Sequence, residues 1–410
     1  MLKTIRSTSR RFFDHPLFPS FYLPSFLWAV AMGIRNTILP LYVGQLSQSY
    51  SLIGLVVAGA SLGTLVMDIP AGFFIQKLNK RLGMILGLAV DGLCTLGLIW
   101  ARDIWIALAL QLLSGIAMSV FIVSRHTYIT NAARQAIRGR AISLFGGVVR
   151  VGTFVGPIIG GQIATHFGLR LPFAAYAFVI VLTIAVLIFS GDKFQEKEIS
   201  EEPAVQEKGR LREALRGDFG VLIFASLGNF LAAVTRVGQG LILPLWGADI
   251  LMLTPAHIGW AVSLSAGVSM TLFYPVGLMM DRMGRKKAIV PSFVLMGVGL
   301  ALLPLTQGFP AFLLVAALIG LGHGLGSGTM MTLGADLSPE KDRSAFLGAW
   351  RWITDAGSSS GPLIVGAVAN VFLLPGAAIA IALSGLLAGG VFGFLVPETL
   401  GRRQKRAEVQ

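Results

Sequence analysis

The chain has 410 residues, of which 54% are hydrophobic and 13% charged, with a mean hydropathy of +0.75. A soluble domain of this length has too thin a polar coat for so much apolar side chain, so the composition excludes the soluble globular class and points to lipid as the solvent. The net charge of +13 does not mark a nucleic-acid binder, because no basic face is interleaved with exposed aromatics, and the single Cys94 in an apolar run excludes a disulfide framework or a cysteine metal site.

Stretches of roughly 20 apolar residues, enough to cross about 30 Å of hydrocarbon, fall at 21–45, 52–76, 82–101, 104–130, 140–165 and 170–190. Six more follow at 219–247, 256–280, 287–306, 310–333, 344–369 and 374–396. The first is too long for a signal-peptide core and lacks a small-residue cleavage pattern, so it reads as a retained span. Basic residues occupy every second loop. They stand before span 1 (Lys3, Arg6, Arg10, Arg11), after span 2 (Lys77, Lys80, Arg81) and after span 4 (Arg134, Arg138, Arg140), and lie between the halves. They return after span 8 (Arg282, Arg285, Lys286, Lys287), after span 10 (Lys341, Arg343) and at the end (Arg402, Arg403, Lys405, Arg406). The alternate loops hold only Arg102 and Arg170, which predicts that the basic loops and both termini are cytoplasmic, in a multi-pass protein of the cell membrane.

The chain is one design written twice. Ile53-Gly54, Pro70, Gly72 and Gly156-Pro157 return as Ile258-Gly259, Pro275, Gly277 and Gly361-Pro362, each 205 positions later. A register kept over so many positions predicts an all-α integral membrane fold of twelve transmembrane helices, built as two pseudo-symmetric six-helix bundles. The expected bundles are residues 1–190 and 219–410, the second with a short cytoplasmic tail. Between them, 191–218 carries eight acidic and six basic residues and reads as a cytoplasmic linker, with 208–216 as a short amphipathic surface helix.

Three motifs narrow the reading. The run from Gly277 through Asp281, Arg282, Gly284, Arg285 and Lys286 lies between spans 8 and 9. Its counterpart runs from Gly72 to Arg81, with Gln76 where the later copy has Asp281 and Asn79 where it has Gly284. In span 5, Gly152, Gly156 and Gly160 stand four apart, with Pro157 and Gly161 beside them. Small residues at that spacing let a neighbouring helix approach closely, and the proline removes a backbone donor. The loop motif resembles the signature of the major facilitator superfamily, and the span 5 motif is similar to the one found in its drug/proton antiporters. The resemblance covers essentially the whole chain. It implies the major facilitator fold, alternating access, and a gate in which Asp281 accepts hydrogen bonds from a helix N-terminus of the other half.

Ionisable groups inside the spans are costly there and so mark a cavity or a partner. At 1.5 Å per residue, Arg35 lies roughly 20 Å and Arg150 about 15 Å from the basic end. Arg236 precedes Pro244 much as Arg35 precedes Pro40. Arg351 and Asp355 share a face of span 11 four residues apart, and Arg150 matches Asp355 under the offset of 205, so those two are expected to pair across the cavity. The expected solute-binding set is Arg35, Asn36, Arg236, Gln239 and Arg351. The acids for proton coupling are Asp68, Asp91 and Asp355, with a structural role equally open to Asp91. The family's span 4 arginine is replaced by Gln111, four residues before Gly115.

The arginines outnumber the deep acids, so the cavity leans positive and favours anionic or zwitterionic amphiphiles. The predicted function is a secondary transporter exporting a small organic amphiphile by proton antiport, monomeric, with no cofactor or metal. Two alternatives remain at this stage: a facilitator or importer of an organic anion or sugar, and a receptor or scaffold that does not transport. An enzyme is not expected, since no nucleophile and base, metal spacing or phosphate cradle appears.

Overall fold

The computed structural model describes residues 18–77, 79–132, 138–190, 219–339 and 343–400. The expected linker at 191–218, with its surface helix, and the tail from 401 onward lie outside the described residues. The helices of the described residues make up twelve spans. The first half holds α1 (Leu23–Leu46), α2 (Tyr50–Lys77), α3 (Lys80–Gly97), α4 (Ile104–Ala132), α5 (Arg138–Phe167) and α6 (Leu171–Phe189). The second begins with α7 (Phe219–Leu245) and α8, whose segments Pro255–Thr271 and Phe273–Met283 meet at a 43° bend. α9 (Lys286–Leu302) follows, and α10 is broken into Gly308–Leu325 and Thr329–Leu337. The helix Arg343–Gly390 loses helical geometry at Phe372 and Leu373, which divides it into α11 (343–371) and α12 (374–390).

The duplication is visible at individual close approaches. A Cβ at Gly54 of α2 would run into the Pro362 carbonyl of α11, and one at Gly259 of α8 into the Pro157 carbonyl of α5. Gly115 against the Ala60 carbonyl repeats as Gly320 against the Ser265 carbonyl. All of these pairs are 205 positions apart, so the glycines are kept where backbone meets backbone. The span 5 motif has two faces. Gly152, Gly156 and Gly160 lie on α1, around Ala29, Gly33 and Ile34, whereas Gly161 meets Pro255 of the other half.

Equivalent positions also differ, with physical reasons. Asn79 caps α3, its side chain accepting from the amides of Arg81 (2.9 Å) and Leu82 (3.4 Å). Its counterpart Gly284 sits at φ +97, where a side chain is disfavoured. Gly168 turns the chain before α6 at φ +85, but the matching residue before α12 is Leu373, at φ 58 and ψ 179. That region is essentially confined to glycine. Leu373 is 66% exposed, so replacing it loses little packing. Leu373→Gly is therefore expected to stabilise the protein by about 1 kcal/mol after the glycine entropy is subtracted. An unchanged or lower thermal unfolding midpoint in detergent would remove the strain argument.

Apolar packing decides where the cleft lies. Away from the basic loops, one core draws Ile38 and Tyr42 of α1, Ile53 of α2, Leu241 and Trp246 of the α7 end, Ile258 of α8 and Val365 of α11 into a single cluster. Toward the basic loops the halves keep separate cores, Met84, Phe121 and Ile180 in one and Ile289, Phe293 and Trp350 in the other. Apolar packing thus joins the halves at the far face, while toward the basic face each half keeps a core of its own. Tyr50 donates to Asp249 (3.0 Å), Ala256 N to Thr165 (2.8 Å) and Ser51 to the Gly366 carbonyl (3.3 Å) across the join.

Candidate functional site

Of the cavities between the halves, one of about 410 Å³ lies at the far face beside Gln45, Tyr50 and Asp249, and two others share Asn36 and Gly240 in their walls. One, of about 270 Å³, is lined by Arg150, Ser269, Gln239 and His323 among others. The other, of about 460 Å³, includes Arg35, Gln111, Arg236, Asp355 and Ser358 in its lining. Of the expected solute-binding residues, Asn36, Gln239, Arg35 and Arg236 border this space. Arg351 stands beside it through its contact with Asp355.

Arg35 is already occupied. It is 3% exposed and donates to Asp91 (2.8 Å) and Ser114 (2.9 Å), while Tyr176 donates a short bond to the other Asp91 oxygen. The guanidinium also lies 5.2 Å from the Tyr176 ring centre. Helices α1, α3, α4 and α6 each contribute to this knot, with Asp91 fully buried inside it. The pair is intramolecular and internally neutral, which suits it to holding the first bundle together.

A second cluster bridges the halves. Arg351 of α11 donates to Asp68 of α2 (3.2 Å) and pairs with Asp355 one turn along its own helix (3.5 Å). Ser119 donates to the same Asp68 oxygen (2.7 Å), and the Asp68 and Asp355 carboxyls are close enough to interact. Two carboxylates and one guanidinium carry one formal negative charge, which a single proton neutralises.

The third cluster is positive. Arg150 of α5 donates to Ser269 of α8 (3.2 Å) and Ser327 beside the α10 break (2.8 Å), and stacks 4.7 Å from the Phe273 ring centre. Arg236 of α7 donates to the Gly326 carbonyl (2.6 Å), which also accepts from the Thr329 amide and hydroxyl beside that break, and lies over Phe293. Among the described residues no carboxylate pairs with either. The expected Arg150–Asp355 ion pair is absent from this conformation: the acid is held by Arg351 and the base by two serines.

Sequence reasoning gave no role to Arg125, which is 6% exposed and boxed by Trp28, Phe121 and Phe145 at 4.3, 4.8 and 4.9 Å. Its ring neighbours lie on α1, on α4 itself and on α5. His323 lines the smaller cavity. Gln111 is buried, its side-chain oxygen unpaired in the wall of the larger cavity.

The loop motif is clamped by a segment the sequence reading left unremarked. Glu398 accepts from the amides of Arg285 (2.9 Å) and Lys286 (3.0 Å), as well as from those of Thr399 and Leu400. Arg285 also pairs with Asp336 (3.0 Å). Asp281 is 77% exposed on its side chain and pairs with Arg285 of its own loop (3.6 Å). Arg282 is exposed, a Cβ at Gly277 would meet nothing within 4 Å, and Gly72 lies within α2.

Partial burial pushes the Glu398 carboxyl up, but the four amide donors outweigh it and hold the group below its usual 4.5. A depressed carboxylate contributes stability that is present above its unfolded value and lost as pH falls through the folded one. Relative to the intrinsic rate at each pH, amide exchange at Arg285 and Lys286 should therefore be slow at neutral pH and accelerate as the pH falls through the depressed Glu398 value. Glu398→Gln should give the fast exchange already at pH 7, and exchange independent of both changes would remove the clamp.

Comparison with known proteins agrees with this architecture. The family model described as Major Facilitator Superfamily matches residues 22–235 and 225–409. An uncharacterized MFS-type transporter of Yersinia pestis is 25% identical over 260 residues, covering 63% of this chain and 65% of that one. Another, from Methanocaldococcus jannaschii, is 20% identical over 353 residues, covering 85% and 90%. Among solved structures, a variant of the nucleoside transporter NupG superposes with a TM-score of 0.76 at 14% identity, covering 93% of this chain and all of that one. A D-xylose–proton symporter also gives 0.76, at 16% identity and coverages of 94% and 99%. With both halves matched by the family model and twelve apolar spans in two related bundles, this multi-pass membrane protein belongs to the Major Facilitator Superfamily.

Proposed function

We propose that the protein exports a small organic amphiphile in exchange for protons by alternating access, as a monomer in the cell membrane with both termini cytoplasmic. The observation that carries this reading is the separation of charge around one cavity system. A cluster with one excess negative charge, Asp68–Arg351–Asp355, crosses between the halves, and a positive pole, Arg150 with Arg236, lies elsewhere around the same space.

The acidic cluster suits proton uptake because it sits at the moving interface. Protonation weakens the hold of Asp68 on Arg351, which releases α2 from α11 and favours rocking of one bundle against the other. The solute's negative or polar groups are held by Arg236 and Arg150, with Asn36 and Gln239 as neutral hydrogen-bonding partners. Gly161 of α5 against Pro255 of α8, and Gly259 of α8 against Pro157 of α5, supply smooth contacts between the bundles, while Gly152, Gly156 and Gly160 fasten α5 to α1 within the first bundle. Asp281 latches the cytoplasmic side when the cavity opens outward.

Arg236→Ala should abolish solute-driven proton movement in liposomes containing the purified protein, under an imposed pH gradient, while insertion and monodispersity are unchanged. Normal transport by that variant would sink the assignment. A second reading, import or facilitated passage of a polar solute such as a sugar, is favoured by Gln111, a neutral group facing the larger cavity where the antiporters carry an arginine. Solute flux without proton movement would select it.

A further inference from the structure

The positive pole is unusual for a membrane interior because, among the described residues, no carboxylate pairs with it. The acids nearest in the fold are committed elsewhere: Asp91 to Arg35, and both Asp68 and Asp355 to Arg351. Arg150 and Arg236 lie within electrostatic reach of each other, and both reach His323. The Arg236 Nε is buried without a partner. Two guanidiniums brought together in a low-dielectric site repel each other and lose hydration, and serines with a single backbone carbonyl return only part of that loss.

We propose that the junction of the 270 Å³ and 460 Å³ cavities receives a doubly charged acidic headgroup, in the chemical class of phosphate monoesters, whose apolar remainder extends into the larger cavity. The inference rests on the reading of these cavities as the solute site. Charge selects the class: two fixed positive groups are neutralised by a dianion and only half neutralised by a carboxylate. Geometry agrees with it. A phosphate monoester offers three acceptor oxygens and carries close to two negative charges at pH 7. Arg150 of α5, Ser269 of α8 and His323 of α10 line the smaller cavity and Arg236 of α7 lines the larger one, so the two planar guanidinium forks stand on either side of the Asn36 and Gly240 wall that both cavities share. Arg236 now rests on the Gly326 carbonyl and Arg150 on Ser327. A headgroup that drew them away would free both sides of the α10 break, so loading would be felt by that helix.

The test is equilibrium binding to the purified full chain in detergent, by calorimetry, with phenyl phosphate, benzoate, phenol and phenyltrimethylammonium as probes sharing one ring. Phenyl phosphate should bind at least tenfold more tightly than benzoate, with phenol and the cation weaker still. Arg150→Gln and Arg236→Gln should each weaken phenyl phosphate binding about tenfold or more, as expected for loss of a charge-assisted forked contact. Arg150→Lys, which keeps the charge and the fold but not the fork, should fall between. Equal affinity for phenyl phosphate and benzoate, or phosphate binding indifferent to Arg150→Lys, overturns the proposal. Because binding is read without transport, the two readings fail separately. Phosphate binding with no proton movement in liposomes would remove antiport and leave this site standing. Proton-coupled transport of cations without phosphate binding would do the reverse.

Discussion

Asp355→Asn should reduce solute-driven proton movement to the level of protein-free liposomes while leaving solute exchange down its own gradient. The prediction follows from position. Asp355 lies in the cavity wall, pairs with Arg351 at 3.5 Å and faces Asp68, so it belongs both to the solute space and to the contact between the bundles. Asparagine keeps the size of the side chain and removes the titrating group. Arg351 then balances Asp68 alone, one for one, and the cluster has no formal charge left for a proton to neutralise. Asp68→Asn should also lose coupling, but with an added loss of stability, because it removes the partner holding Arg351 across the interface at 3.2 Å. Undiminished proton movement in Asp355→Asn would reduce that acid to a structural partner of Arg351.

The largest expected effect on stability belongs to the Arg35–Asp91 knot. Removing one member of a buried pair strands the other charge, at a cost of about 3–5 kcal/mol. Asp91 is 0% exposed, with Tyr176 and Ser114 as its remaining donors once Arg35 is lost. Arg35→Leu should therefore give little monodisperse protein after solubilisation and a strongly lowered thermal midpoint. The double variant Arg35→Met with Asp91→Leu should recover most of the folded material, since replacing both partners by apolar groups is often neutral or stabilising. Transport by the double variant then separates two roles for Arg35. A folded but inactive double variant means that the guanidinium serves the solute as well as the fold; an active one means that it serves the fold alone.

Much of the architecture could be read from the sequence because lipid allows so few solutions. A backbone crossing hydrocarbon must satisfy its own hydrogen bonds, so an apolar run of the right length is a helix. The span at 52–76 is observed as Tyr50–Lys77, and that at 104–130 as Ile104–Ala132. Breaks were harder to anticipate. The Gly320–Gly326 run reads as close packing or flexibility, and it does pack at Gly320 and Gly322, but the chain also breaks at Gly328, at φ +73, with Arg236 donating to the Gly326 carbonyl beside the break. Nothing in the apolar pattern distinguishes a packed glycine from one that turns the helix.

The site was legible in its parts and not in its pairings. The sequence alone marked the intramembrane charges and the adjacency of Arg351 and Asp355, which one helical turn imposes. It also marked the twofold repeat, because each half carries the same glycines at the same backbone contacts. Only the tertiary structure decided which arginine is neutralised and which is left bare. Arg35 finds Asp91 on α3, Arg351 finds Asp68 in the other half, and Arg150 and Arg236 find serines and a carbonyl. Depth in the membrane follows from counting residues along one helix. Partnership follows from the rotation and neighbours of several helices at once, and local sequence holds no record of those angles.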